Sequence, residues 1–397
     1  MNKQAPLPNA SVVRRNYSLM TVILCWSGLA VMCSLYVTIP LISVFARLYD
    51  ITPTEAAAAG STFSIGFALG CLIYGALSDK YGRKKVIFTG LLVLTLISIL
   101  LAMVHSFAWI VVLRGLQGAA AATFSPVALA YAVEMYPAEK RVTTIGFIST
   151  GFLTAGIVGQ VVSSLISEQY GWNAVFYVLA GVYALTAVLV YVFLPKGGIQ
   201  QAHASIWEPV RQVGQVFVRK QLVLSYVVAF VLLMSFVSMY TVLGSYLSGA
   251  PFGLDKQGIL VVRSIGIASM LLSPFAGRVS KRLGIRVTLR GSLVLAGAGL
   301  ASMGLITSLP LLVAVSLVFV AGIALAVPSL VSLVGQLGGK QRGIAVSVYT
   351  FVLFAGTSFG PVLSLSFMKS FSYPVTFLLL ASILCIGLAA ACLIDRE

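Results

Sequence analysis

Charged residues are scarce in this chain of 397 residues: Asp, Glu, Lys and Arg together make up 9%, against about a quarter in ordinary soluble domains. So few charges cannot cover a water-exposed surface, and the two or three soluble domains that length alone would suggest are excluded. Acids are scarcer still, ten in all. The five cysteines, Cys25, Cys33, Cys71, Cys385 and Cys392, show no paired metal-ligand spacing and read as packing residues. The sequence contains no HExxH, no GxSxG and no Walker loop, so the usual signatures of zinc hydrolases, serine hydrolases and ATP-driven pumps are missing. No enzymatic activity, metal or cofactor is expected.

What the chain has is apolar length: 59% of residues are hydrophobic and mean hydropathy is +1.02. Nearly uncharged runs occur at about 18–46, 56–78, 86–104, 107–133, 142–167 and 172–194, then at 221–247, 257–276, 291–309, 310–337, 343–368 and 371–394. Each is long enough to cross a bilayer as a helix, which needs about 20 residues. The runs are continuous rather than alternating, which disfavours a barrel. The first follows Arg14 and Arg15 as a signal peptide would, but it is too long for one and is expected to be retained.

The formal charge of +16 is a matter of topology rather than of nucleic-acid binding. Lys and Arg collect in the N-terminal segment, in alternate loops (Lys80 to Lys85, Lys140 and Arg141, Lys196 to Lys220, Arg278 to Arg290, Lys340 and Arg342) and at Arg396. The opposite loops hold only Arg47, Lys256 and Lys369. By the positive-inside rule the basic side is cytoplasmic and carries both termini.

A shift of 202 residues lays Gly75-Ala-Leu-Ser-Asp79-Lys-Tyr-Gly82 over Gly277-Arg-Val-Ser-Lys281-Arg-Leu-Gly284, and Pro126 over Pro328. A shift of 201 lays Gly159 over Gly360. The expected architecture is an all-α membrane protein of twelve transmembrane helices in two pseudo-symmetric six-helix halves, residues 1–194 and 221–397, joined by a cytoplasmic linker, 195–220. Parallel repeats of this kind set a substrate site near the midplane between the halves. Within the linker, Ile206 to Val213 reads either as an amphipathic surface helix or as a plain connector.

The segment Gly75-Ala-Leu-Ser-Asp79-Lys-Tyr-Gly82-Arg83-Lys84-Lys85-Val86 resembles the loop motif between the second and third helices of the major facilitator superfamily. Leu113-Arg114-Gly115-Leu116-Gln117-Gly118 is similar to the fourth-helix motif of its proton-coupled members. The resemblance covers the whole chain and points to bacterial twelve-helix drug and metabolite exporters of the drug:proton antiporter type. It implies a conformational latch for the outward-facing state at Gly75, Asp79, Gly82 and Arg83, extended by Glu134; a surface ion pair that merely sets topology is the alternative for Asp79. Gly151, Gly156 and Gly159 keep the spacing of the exporters' fifth-helix motif, with Gln160 where proline is expected; Gly356, Gly360 and Pro361 occur in the eleventh helix. Small residues at this spacing let helices approach closely, and an interface between the halves is expected for them.

Arg114 and Arg263 stand within spans, each about 10 Å from the outer boundary by helical rise. A charge at that depth marks a functional site by default, although arginine can also reach toward the interface. Removal of Arg114 is expected to abolish transport and leave folding intact. The remaining cavity candidates are Trp26, Tyr36, Thr38, Gln117, Phe124, Ser125, Gln160, Tyr240 and Ser329. No acid lies mid-helix, so a lipophilic cation finds no counter-charge there. A neutral, zwitterionic or anionic cargo is favoured, with an opine-like or siderophore-like carboxylate as the serious alternative to a drug.

The functional expectation is a monomeric secondary transporter of the bacterial inner membrane. It would export a small molecule by alternating access, powered by a proton gradient through antiport, and its partners would be the cargo and the lipid bilayer, not nucleic acid. A facilitative importer and a non-transporting sensor are the alternatives.

Overall fold

A computed structural model describes residues 16–196 and 218–394; the linker stretch Ile206 to Val213 lies outside them. Among the described residues the chain is helical without strands. In lipid a helix satisfies its own backbone, and the apolar runs fold accordingly. The helices of the first half are α1 (Tyr17–Tyr36, continued by a short helix at Ile42–Leu48), α2 (Ala58–Tyr81), α3 (Arg83–Met103), α4 (Phe107–Ala121 and Ser125–Met135), α5 (Ala138–Tyr170) and α6 (Trp172–Phe193). Those of the second are α7 (Lys220–Ser248), α8 (Lys256–Met270 and Ala276–Leu283), α9 (Ile285–Met303), α10 (Leu309–Gly338), α11 (Arg342–Ser370) and α12 (Tyr373–Cys392). Eleven of these are long and apolar enough to cross a membrane. The exception, α9, begins earlier than the apolar run suggested and takes in Arg286 and Arg290. Arg290 donates from Nε to the Ala391 carbonyl and from Nη2 to that of Cys392, each at 3.1 Å, which satisfies carbonyls that the end of α12 leaves open.

Proline sets the interruptions. Around Pro40, α1 slips from regular bonding into i→i+3 bonds, Ile39 N to Tyr36 O and Leu41 N to Thr38 O, because proline has no N–H to give. The break in α4 precedes Pro126, and that in α8 is a short 3₁₀ turn, Ser273–Phe275, around Pro274.

The repeat is visible in the packing. In each half the first helix packs on the fifth, the second on the fourth and the third on the sixth (α1 on α5, α2 on α4, α3 on α6; α7 on α11, α8 on α10, α9 on α12). The hinge glycines repeat as well: Gly82 between α2 and α3 has φ 89°, and Gly284 between α8 and α9 has φ 85°. Only glycine takes that conformation without strain.

Candidate functional site

The two halves meet along α2–α11, α5–α8, α5–α10, α4–α10 and α4–α11. These contacts lie toward the basic face. A β-carbon on Gly75 would overlap the Ser347 hydroxyl of α11, one on Gly277 the Thr143 hydroxyl of α5, and one on Gly146 would come within 2.5 Å of the Ser273 carbonyl. The Thr150 hydroxyl donates to the Met270 carbonyl at 3.2 Å. Phe67 of α2 meets Phe354 of α11 edge to face, with centroids 4.8 Å apart. On the opposite side the halves separate around two adjoining cavities of about 610 and 230 Å³ that share Tyr36, Ile39, Val237 and Pro361. The halves are thus closed against each other on the basic face and part on the opposite one.

The closed face carries the charge network. Arg83, 4% exposed, bonds Asp79 Oδ1 through Nη2 at 2.5 Å and Glu134 Oε2 through Nε at 2.6 Å. Its Nη1 donates to the Ser78 hydroxyl at 2.9 Å. Asp79 also abuts Gly343, where α11 begins, so closely that a β-carbon there would overlap its carboxylate. Burial pushes the Asp79 carboxyl above its ordinary range, against the opposing pull of Arg83. Gly75, Asp79, Gly82, Arg83 and Glu134 are therefore brought together. Lys281, which replaces Asp79 in the repeat, is exposed.

Of the cavity candidates, Tyr36, Gln160, Tyr240 and Arg263 line the smaller cavity, and Tyr36 and Thr38 the larger. Arg263 is the one charged side chain among the lining residues. Its Nη2 donates to the Tyr240 carbonyl at 3.0 Å, while its Nε and the Tyr240 hydroxyl are buried with no hydrogen-bond partner. No carboxylate pairs with it among the described residues.

The other candidates lie elsewhere. Arg114, fully buried, sits inside the first half. It donates from Nε to the Ala59 carbonyl at 3.1 Å, from Nη1 to Gln117 Oε1 at 2.5 Å and from Nη2 to the Ser34 carbonyl at 2.7 Å. The Phe63 ring lies 4.4 Å away. Gln117 continues to the Ser98 hydroxyl at 2.9 Å. The Trp26 indole donates to the Thr186 hydroxyl on α6 at 3.1 Å, away from the second half. Phe124 packs edge to face on Phe152. The Ser125 hydroxyl meets Met32 Sδ at 3.2 Å, and that of Ser329 bonds the Leu325 carbonyl at 2.9 Å in its own helix.

The helix-interface glycines serve contacts within halves rather than between them. Gly151 and Gly159 face the α1 backbone at Cys25 and Cys33, Gly156 faces the Tyr36 ring, and Gly356 and Gly360 face α7 at Phe230 and Met234. Pro361 lines both cavities. Of the glycines between halves, Gly343 was expected beside Asp79 and Gly277 was marked by the repeat that lays Gly75 over it, whereas Gly146 is the one that sequence reasoning missed.

Comparison with known proteins agrees with this architecture. The family model described as Major Facilitator Superfamily matches residues 24–270 and 252–397. The uncharacterized MFS-type transporter YybF of Bacillus subtilis is 27% identical over 377 residues, covering 90% of both chains. Two partial matches, each 28% identical and spanning 63% of this chain and 64% of the relative, are to the multi-drug resistance efflux pump PmrA of Streptococcus pneumoniae and the niacin transporter NiaP of Acinetobacter baylyi. These two alignments thus span less than two thirds of the relatives' lengths. Among solved structures, the Escherichia coli fucose:proton symporter FucP is similar in fold, with a TM-score of 0.76 at 14% identity, covering 96% of this chain and all of that one.

Proposed function

The chain belongs to the Major Facilitator Superfamily, a family of transporters rather than enzymes, and from that premise we propose that it exports a small anionic or zwitterionic molecule by alternating access in the bacterial inner membrane. The observation that carries the cargo class is the Arg263 guanidinium, unpaired by any described carboxylate, in the cavity between the halves beside the unpartnered Tyr240 hydroxyl. A buried charge is costly unless paired, and a carboxylate suits a guanidinium through parallel N–H···O bonds. Gln160 and Tyr36 add an amide and a phenol to the same wall. A lipophilic cation would meet a like charge there.

Export is supported by the glycine spacing of α5 and by the likeness to an efflux pump; NiaP, named for niacin, supports a carboxylate cargo more than a direction. The proton gradient is the proposed energy source, with Asp79 and Glu134 as the titratable groups at the inner edge. Asp79, Arg83 and Glu134 hold the cytoplasmic face closed, and Gly75 and Gly82 permit the approach.

The test is competition binding followed by flux in proteoliposomes. Carboxylated metabolites should bind in preference to cationic dyes, and Arg263→Gln should weaken them about tenfold to a hundredfold, the worth of one hydrogen bond to a charged group. Equal affinity of wild type and Arg263→Gln for every carboxylate would overturn the cargo class.

A further inference from the structure

At the cytoplasmic end of the first half, away from the cavity, lies a pocket of about 720 Å³ where the α2–α3 hinge meets the end of α6. It presents three ammonium groups, Lys84, Lys85 and Lys196, and three aromatic rings, Tyr81, Phe88 and Tyr191. Lys84 is held in position: its Nζ donates to the Tyr191 carbonyl at 2.7 Å and lies 5.5 Å from that ring's centroid. Phe88 packs on the same ring at 5.2 Å. No carboxylate pairs with these lysines among the described residues, and the nearby Asp79 and Glu134 both bond to Arg83. Three cations are thus gathered with no partner carboxylate among the described residues.

The pocket continues into a second feature. Tyr81 and Lys85 also line a groove of about 480 Å³ that runs between α2, α3 and α4. Along α3 it extends from Lys85 to Ile97, about 18 Å by helical rise. Beyond Lys85 its walls are apolar or small, with Val93, Leu116 and Ala119 among them. Val93 and Leu116 are 40% and 53% exposed, which in a membrane means facing lipid.

We propose that this surface binds one anionic phospholipid of the cytoplasmic leaflet, its phosphate among Lys84, Lys85 and Lys196 and an acyl chain along the groove between α2, α3 and α4. The charge complementarity requires an anion, and the groove requires that the anion carry an apolar tail. Free phosphate would satisfy the lysines and leave the groove unused. A neutral lipid would fill the groove and leave the lysines unpaired. Tyr81 and Tyr191 stand at the level where aromatic rings favour the membrane interface.

The experiment is native mass spectrometry of the full-length, delipidated protein titrated with phosphatidylglycerol or phosphatidylcholine. Wild type should prefer phosphatidylglycerol. Lys84→Gln/Lys85→Gln/Lys196→Gln should reduce that preference by on the order of a hundredfold, given the attraction of each lysine for anionic lipid. The control Arg278→Gln/Lys281→Gln/Arg282→Gln, which removes as many charges from the same membrane face, should keep it. Val93→Trp, which fills the groove and preserves the charge, should weaken phosphatidylglycerol binding without changing the response to inorganic phosphate. Should the triple variant fail to fold, Lys196→Gln alone, beyond the end of α6, should show a partial loss. Equal binding of the two lipids, an equal loss in the control, full retention in the lysine variants, or displacement of phosphatidylglycerol by inorganic phosphate alone would each overturn the proposal.

Discussion

Removing the Arg114 side chain would leave the carbonyls of Ser34 and Ala59 and the amide oxygen of Gln117 without their donors. Buried polar groups so orphaned cost about 1–3 kcal/mol each. Arg114→Ala is therefore expected to lower stability by roughly 3 kcal/mol or more, read as a fall in the thermal unfolding midpoint of purified protein, and to lose transport through the fold. Arg114→Lys should recover part of the stability, since one ammonium can replace only some of the three bonds. Arg263→Gln, by contrast, should unfold near the wild-type temperature and lose cargo binding. The sequence gives the two arginines equal depth in comparable helices. Their difference lies in how many acceptors surround them: Arg114 has three, two of them carbonyls carried by α1 and α2, whereas Arg263 has the Tyr240 carbonyl and an Nε without a partner. Contacts of that kind, 80 residues apart in the case of Ser34, leave no local pattern in the chain.

At the closed face, where α2, α3, α4 and α11 meet, one cation is shared by two acids. Arg83→Met would leave Asp79 and Glu134 close together without their counter-charge, a loss of about 2 kcal/mol once the solvent access of both carboxylates is allowed for. The expected outcome is a shift away from the outward-open arrangement, seen as weaker labelling of a single cysteine placed in the outer cavity. Gly343→Ala should act in the same direction by pressing a methyl group on Asp79, while leaving every charge in place. Unchanged labelling in both variants would remove this network from the closing mechanism. These elements were legible in the sequence where a motif spans a tight turn, as at Gly82, whose positive φ the loop requires. The start of α9 was not. Arg286 and Arg290 look like loop residues until the end of α12 supplies carbonyls for Arg290. The fifth- and eleventh-helix glycines were legible as contact points but not as to partner, because spacing reveals a small face and not the helix that will meet it.

For the molecule as a whole, the burial of Asp79 in the closed face predicts that closure responds to pH. Its carboxyl titrates above the ordinary range when buried in the closed face, and exposure on opening would return it toward that range. A proton is therefore held more tightly in the closed arrangement, which acid favours and which loses this contribution as pH rises through the raised value. Labelling of the outer cavity should increase as pH falls across that interval, and Asp79→Asn should abolish the dependence. The cavity has an electrical character too. Its lining carries a single fixed positive charge, so a bound monoanion would leave it neutral, and the loaded carrier would reorient with little response to voltage. The empty carrier would still move the Arg263 charge relative to the membrane field, where a full crossing corresponds to about 2.3 kcal/mol per 100 mV. The membrane potential should accordingly act on the return of the empty protein rather than on the delivery of cargo; in Arg263→Gln, whose empty cavity is neutral and whose loaded cavity carries the charge of the anion, the voltage dependence measured at clamped potentials should pass to the delivery step.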